Sequence, residues 1–226
     1  MTTVVNPCYL NAPSLGSFRL LTDAERTASM QHSMTHWQKG QDIWVFGYAS
    51  LIWRPEFDYA EKRLALLRGY HRSLCLWSRV NRGTPEHPGL VFGLDAGGSC
   101  RGVVFRIPSD QVPGTMEALW KREMATGAYH PRWMACRTQH GNVKALAFVM
   151  NRNTEAYVRG LSMEQLVQIV SSAHGSYGPC TEYVLETARA LRQSNIHDRR
   201  LQVLVDHLHQ ALHAPAPISQ EPSEQG

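Results

Sequence analysis

The sequence lacks any long hydrophobic run, because its apolar stretches, such as Ile43 to Phe46 and Gly102 to Phe105, are only as long as a strand. A membrane-spanning helix needs roughly 20 apolar residues, so we predict no transmembrane segment. Residues 1–16 also lack a charged segment followed by an apolar one, which argues against a secretory leader. We therefore expect a cytoplasmic protein that does not bind a membrane.

Cysteines and clustered charge are also scarce. The five cysteines show no C-x-x-C spacing, and their odd number argues against a closed set of disulfides. The net charge at pH 7 is only +4, and the basic residues are dispersed among acidic ones. These features disfavour a nucleic-acid partner and suit a small acidic substrate better. The G-x-x-x-x-G-K-[ST] pattern of a P-loop is absent.

The first half of the chain reads mainly as strands. Thr22 to Glu25 matches a capping box and predicts a helix that continues to about Trp37. Ile43 to Phe46 then predicts a buried strand that ends at Gly47. Further strands are predicted at 63–77, 89–94 and 102–107, with a hairpin connection at Ala96-Gly97-Gly98.

Helical spacing dominates the second half. Met116, Leu119, Trp120 and Met124 predict a helix of about three turns, with Gly127 as its stop. The other predicted elements are a hairpin of 132–138 and 143–150, a helix opened by a capping box at 162–165, a helix capped by Thr181 that reaches Arg192, and a final helix at 198–213 with Leu201, Leu204, Val205 and Leu208 on one face.

Strands that come early and helices that come late favour an α+β fold: a mixed, mostly antiparallel β-barrel with flanking helices. We expect an N-terminal helical extension at 1–40 and one domain at 41–213. Residues 214–226 are rich in Pro, Ser, Gln and Glu, and this composition predicts a disordered tail.

Glu123 is the most informative single residue. Helical spacing from Met116, Leu119 and Trp120 places its carboxylate on the apolar stripe of the predicted helix. Burial there would raise the pKa, which lets a Glu exchange protons near neutral pH. In the alternative interpretation the helix frays near Gly127 and leaves Glu123 in water, paired with an arginine.

The segment VFGYASLIW at 45–53 runs from the buried strand into a loop of small residues. Outward-turned backbone N–H groups in such a loop can bind a carboxylate. Gly47 and Ala49 would allow a ligand to approach closely. In the alternative interpretation this is an ordinary strand end, and Tyr48 and Trp53 fill the core.

Taken together, these segments resemble the ChaC family of glutathione-specific γ-glutamylcyclotransferases. The resemblance covers most of residues 43–192 and rests on five motifs: VFGYASLIWRP at 45–55, LRGYHRSLCLWS at 67–78, NRGTPEHPGLVFGL at 81–94, LWKRE at 119–123 and GPCTEYV at 178–184.

The resemblance implies cleavage of glutathione to pyroglutamate and Cys-Gly, with no cofactor and no metal. The substrate's own α-amine would attack its γ-carbonyl while Glu123 acts as general acid and base. The substrate-binding residues implied for the loop are Gly47, Tyr48, Ala49, Ser50 and Leu51, with Tyr183 beside the ligand. We expect a monomer or a weak dimer.

Arg82 is a candidate partner for the far carboxylate of glutathione, because Arg binds carboxylates bidentately. A surface arginine is the simpler interpretation. Two departures from the family pattern bear on the site. Ala49 replaces the usual Gly, so the loop must adopt a conformation open to L-residues. The segment 124–129 also differs, which bears on selectivity for the departing peptide.

Other readings stay open from the sequence. A thiol hydrolase could use Cys136 or Cys180, although neither lies in a nucleophile motif. His207, His209 and His213 could form a metal site, although a third acidic ligand at defined spacing is missing. The fold could also serve a non-catalytic γ-glutamyl-binding module, or a cyclotransferase for other γ-glutamyl peptides or amines.

Overall fold

The structure is a computed structural model, and it describes residues 19–213. Cys8, the N-terminal segment considered as a leader and the predicted tail at 214–226 lie outside the described residues. The domain boundaries drawn at residues 40 and 213 stay predictions.

The described chain alternates helices and strands. The helices are α1 Asp23–Ser33, α2 Ser50–Trp53, α3 Val112–Glu123, α4 Met163–Ser172, α5 Cys180–Gln193 and α6 Arg199–His213. The strands are β1 Ile43–Gly47, β2 Glu61–Ser78, β3 Gly89–Ile107, β4 Tyr129–Thr138, β5 Gly141–Met150, β6 His174–Gly175 and β7 Gly178–Pro179. None of these helices combines the length and apolarity that crossing a membrane requires.

The five longer strands close into a barrel in the order β1-β3-β2-β4-β5. Pairing around this order is antiparallel, and the barrel closes where β1 lies parallel to β5, with Trp44 opposite Ala145 and Val45 opposite Leu146. The predicted class, a mostly antiparallel barrel with flanking helices, is confirmed.

The predicted hairpin at Ala96-Gly97-Gly98 is wrong. β3 runs through these residues as one strand and pairs with β2 from Ser78 opposite Gly89 to Glu61 opposite Arg106. Gly97 and Gly98 do take positive φ, but they form a bulge, near Gly69, where the pairing register shifts. Glycine serves a bulge as readily as a turn, so its presence alone does not mark a reversal. The true reversal is the loop at 79–88.

The helix starts are closer to expectation than the helix ends. Both capping boxes, at Thr22 with Glu25 and at Ser162 with Gln165, are present. α1 ends at Ser33 rather than near Trp37. The predicted cap at Thr181 is wrong, because Pro179 is the N-cap of α5 and the Thr181 hydroxyl donates to the carbonyl of Val170.

Helix α3 is fixed on the barrel by Trp120. The indole packs edge-on against Phe148 of β5 at 5.4 Å between ring centroids, and its Nε1 donates to Ser29 Oγ of α1 at 3.1 Å. Truncating so deeply buried a Trp typically costs about 3–5 kcal/mol. This anchoring determines where the C-terminal end of α3, and therefore Glu123, lies.

Candidate active site

The loop that follows β1 is compact because of a glycine. A Cβ on Gly47 would come within 3.0 Å of the Phe105 ring and 3.2 Å of Leu51 Cβ, so a side chain there would push α2 away from the strand. Ala49, at the start of α2, has a φ of −140°. This φ is negative, so the loop does not use the positive φ that would favour glycine at position 49.

Glu123 is the last residue of α3, and Met124 rather than Gly127 ends the helix. Its side chain is only 15% exposed and lies 3.2 Å, Oε1 to Nε, from Arg122. Burial raises the pKa of this carboxyl; the charge of Arg122 lowers it, and that of Glu56 raises it further. The alternative interpretation, in which Glu123 extends into water, is wrong. The arginine partner that this interpretation expected is present as Arg122.

Arg122 was missed by the sequence analysis, and it ties α3 to the loop after β1. Its Nη2 donates to Ser50 Oγ at 3.0 Å, and its Nη1 donates to the carbonyl of Arg54 at 2.6 Å and to Glu56 Oε2 at 2.9 Å. The signal available was its place beside Glu123 in the motif LWKRE. Helical periodicity gave no reason to single it out, because it lies off the apolar stripe.

Three tyrosines contribute phenol groups near Glu123. The Tyr129 hydroxyl donates to the carbonyl of Phe92 at 3.3 Å, and the Tyr183 hydroxyl accepts from the N–H of Phe92 at 3.1 Å. Burial raises the pKa of Tyr48, Tyr129 and Tyr183, and the charge of Glu123 raises each further. All three therefore remain neutral hydroxyls at physiological pH. Tyr129 had no local sequence signal, since it reads as an ordinary strand residue.

Arg82 lies in the loop between β2 and β3, and the expectation of a surface arginine is wrong because the residue is only 4% exposed. Its Nη1 donates to the carbonyl of Pro179 at 3.0 Å, and its guanidinium lies 5.5 Å from the Tyr183 ring centroid. The backbones at Gly89 and Gly175 lie in close contact with the backbone of Arg82. A Cβ on Gly89 would lie 2.0 Å from the Arg82 carbonyl oxygen, and one on Gly175 would lie 2.6 Å from its nitrogen.

These elements surround one cavity of about 610 Å³, which we call the Glu123 cavity. Seven of the eight predicted site residues line it: Tyr48, Ala49, Ser50, Leu51, Arg82, Glu123 and Tyr183. The eighth, Gly47, is buried behind the loop. Lining residues that the sequence analysis did not single out include Arg79, Arg122 and Tyr129.

The rival catalytic residues lie in other surroundings. Cys136 and Cys180 are buried, and burial raises the pKa of their thiols to about 12 and about 11, so neither is a ready thiolate. His207, His209 and His213 lie on the exposed face of α6. Within residues 19–213 no group of three or more His, Cys, Asp or Glu side chains could hold a metal ion.

Comparison with known proteins yields consistent matches. The family model described as ChaC-like protein matches residues 43–211. The glutathione-specific γ-glutamylcyclotransferase of Escherichia coli K12 is 31% identical over 82% of this chain and 81% of its own length. The human glutathione-specific γ-glutamylcyclotransferase 1 is 30% identical over 74% of this chain and 78% of its own length.

A similar fold occurs in a solved structure. The crystal structure of a yeast γ-glutamyl cyclotransferase specific to glutathione superposes with a TM-score of 0.70, covering 75% of this chain and 96% of that chain. At 22% identity this likeness concerns the fold alone.

Proposed function

Because this chain belongs to the ChaC-like protein family, we propose that it is a γ-glutamylcyclotransferase that converts glutathione to pyroglutamate and Cys-Gly. The observation that carries the proposal is a shared cavity. The buried carboxylate of Glu123 and the loop of residues 48–51 line the same space, so one bound molecule can touch both.

The reaction needs no group from outside the substrate apart from a proton carrier. The α-amine nitrogen attacks the γ-carbonyl carbon, a five-membered ring forms, and the bond to the cysteinyl nitrogen breaks. The α-ammonium loses two protons as it becomes the ring N–H, and the departing nitrogen gains two as it leaves as the ammonium of Cys-Gly. Glu123 carries them from one nitrogen to the other in two successive transfers, so the protons balance. Such general acid and base work contributes about 10² to 10⁴ in rate.

The raised pKa of Glu123 suits this role. A carboxyl group with a raised pKa holds the transferred proton better than one of ordinary acidity, and it can still return that proton. Arg122 limits the rise, because its charge favours the ionised form that must be present before the first transfer.

The loop after β1 would fold the substrate back on itself. The first N–H groups of a helix have no acceptor within that helix, so those at residues 49–51 can receive the glutamyl α-carboxylate. The Ser50 oxygen accepts from Arg122, which leaves the Ser50 proton free to donate to the same carboxylate. Holding amine and carbonyl together in this way can supply effective concentrations of roughly 10⁵ M or more.

A second candidate is a cyclotransferase for other γ-glutamyl peptides or amines. Ala125, Thr126 and Ala128 line the Glu123 cavity, and they belong to the segment that departs from the family pattern. These side chains are therefore available to contact the group that leaves in the reaction. The non-catalytic alternative rested on Ala49, and the negative φ of that residue is not the positive φ that would call for glycine. A cytoplasmic location and a monomer or weak dimer remain predictions.

The test is to incubate the purified protein with glutathione, γ-Glu-Cys and several γ-glutamyl amino acids and to measure pyroglutamate. We expect release from glutathione with an equal amount of Cys-Gly. Faster release from another γ-glutamyl compound would favour the second candidate. Saturable binding of glutathione without any pyroglutamate would contradict the enzymatic proposal.

A further inference from the structure

Arg79 is a second buried arginine in the loop at 79–88, and neither the motifs nor the mechanism uses it. It is 4% exposed and lines the Glu123 cavity. Its Nε and Nη1 are buried and have no hydrogen-bond partner among residues 19–213. Arg82, three residues on in the same loop, instead donates to Pro179 and lies 3.8 Å from Glu182.

An unpaired buried guanidinium is unfavourable. Arginine stays charged at any physiological pH, and removing its hydration without supplying acceptors costs free energy. Burial lowers the pKa of Arg79, and the charge of exposed Glu86 opposes that shift without forming an ion pair. Because this guanidinium lies beside the cavity with unpaired N–H groups, it is available to bind an anionic ligand.

We propose that Arg79 binds the carboxylate at the far end of the substrate, which in glutathione is the carboxylate of the glycine residue. This assignment rests on the proposed function. Glutathione carries two carboxylates, and the loop at 48–51 is suited to the one on the glutamyl end. The other must also lose water on entering the cavity, and a guanidinium with free N–H groups compensates for that loss.

The assignment makes Arg79 a determinant of specificity. A site built to bind a charged group rejects an analogue that lacks it, because the site's own polar atoms are then left unpaired. Substrates that end in a carboxylate at the glycine position are therefore favoured over γ-glutamyl amides. The Glu123 chemistry is the same for both, so the preference appears mainly in KM and not in kcat.

The experiment compares glutathione with its C-terminal glycinamide form in the wild type and in Arg79→Gln. We expect the amide to raise KM about 10- to 100-fold in the wild type and by little in the variant. Arg79→Lys should restore part of the preference. Arg189→Gln, on the exposed part of α5, is the matched control and should behave like the wild type. If Arg82→Gln removes the preference and Arg79→Gln retains it, the assignment is overturned.

Two further readouts separate this inference from its premises. Without ligand, Arg79→Met should unfold at the same temperature as the wild type or higher, because an unpaired charge has been removed; a clear fall would contradict the unpaired state. Binding of Cys-Gly and of cysteinyl-glycinamide, measured by calorimetry, requires no turnover. If the protein releases no pyroglutamate, the proposed function fails, and an Arg79-dependent preference for Cys-Gly still supports the carboxylate site. Equal binding of both peptides overturns it.

Discussion

Two cavities of similar size in the described part of the chain differ in how their buried charged groups are paired. Besides the Glu123 cavity there is one of about 690 Å³, the Arg72 cavity, which is lined by residues of β2, β3, α4 and α6 and of the segments before α4 and α6. Its lining includes Arg72 of β2, Asp95 of β3 and Asp198 just before α6. Volume therefore does not distinguish them, whereas the pairing of charges does.

In the Arg72 cavity the buried charges are satisfied within the protein. Arg72 donates to the carbonyls of Tyr48 at 2.5 Å and Arg101 at 2.7 Å, and it forms an ion pair with Asp198. Asp95 accepts from Arg152 Nε at 2.6 Å and from the Tyr157 hydroxyl at 3.0 Å. Such groups stabilise the fold, and they retain little capacity for a ligand.

In the Glu123 cavity two charged side chains have fewer partners within the protein. Glu123 has its chain neighbour Arg122 at 3.2 Å, and Arg79 has two nitrogens without partners among the described residues. Under the proposed function, these less supported charges lie where the substrate binds, and enzymes commonly have lower stability at such sites. The comparison predicts that substitutions in the Glu123 cavity reduce activity, while those in the Arg72 cavity reduce stability.

The largest expected effect is that of Glu123→Gln. Removing the proton carrier while keeping the shape should lower kcat for glutathione about 10²- to 10⁴-fold. Steady-state pyroglutamate release measures this, and circular dichroism checks that the fold is kept. Glu117→Gln is the control on the same helix, because Glu117 is exposed and does not line the cavity. Near-normal turnover of Glu123→Gln would show that another group moves the proton.

Arg72→Met comes next, and its effect should fall on stability. It leaves the partly buried Asp198 and two carbonyls without their partner, which should cost about 3 kcal/mol in the free energy of unfolding. Denaturant titration measures the loss. Arg159→Met is the control, since Arg159 lines the same cavity but is exposed and should change stability by less than about 0.5 kcal/mol. Equal stability of the two variants would break the comparison.

A smaller expected effect is a difference between the two cavities in how the stability of their carboxyl variants depends on pH. Burial opposes ionisation of Asp95, but its hydrogen bonds from Arg152 and Tyr157 outweigh that and lower its pKa. The stabilisation that ionised Asp95 gives the fold is therefore present above the ordinary pKa of 3.8, and it is lost as pH falls through the folded-state pKa. Asp95→Asn should cost about 1–3 kcal/mol at pH 7 and less near pH 3.

Glu123 should behave in the opposite sense. The pKa of Glu123 is raised in the folded state. Its contribution to the free energy of unfolding is therefore most favourable below the ordinary pKa of 4.5, and it is lost as pH rises through the folded-state pKa. Glu123→Gln should accordingly be more stable than the wild type at pH 7, with the gain vanishing near pH 4. Unfolding titrations at several pH values measure both variants. The same sign for both would contradict a lowered pKa for Asp95 and a raised pKa for Glu123.

Local signals in the sequence were enough for the fold class and for part of the site. Capping boxes involve residues three apart, and the apolar stripe of α3 is a property of one helix, so Thr22, Ser162 and the burial of Glu123 could be predicted. The bulge at Gly97 could not, because whether a glycine turns or bulges depends on the partner strand.

The rest of the site depends on contacts distant in the chain. Arg122 reaches Ser50 across 72 positions, and Arg72 reaches Asp198 across 126. Arg79 and Arg82 are buried because a loop between two strands lies under the segment around Gly175, and nothing local marks that loop as covered. Arginine reads as a surface residue until the fold brings these segments together.

The most direct test of the central claim is a crystal structure of Glu123→Gln with glutathione bound. We predict that glutathione lies in the Glu123 cavity, with its α-amine nitrogen roughly 3 Å from the amide side chain at position 123 and its α-carboxylate at the N–H groups of residues 49–51. Glutathione bound in the Arg72 cavity, or with its amine beyond the reach of position 123, would contradict the account.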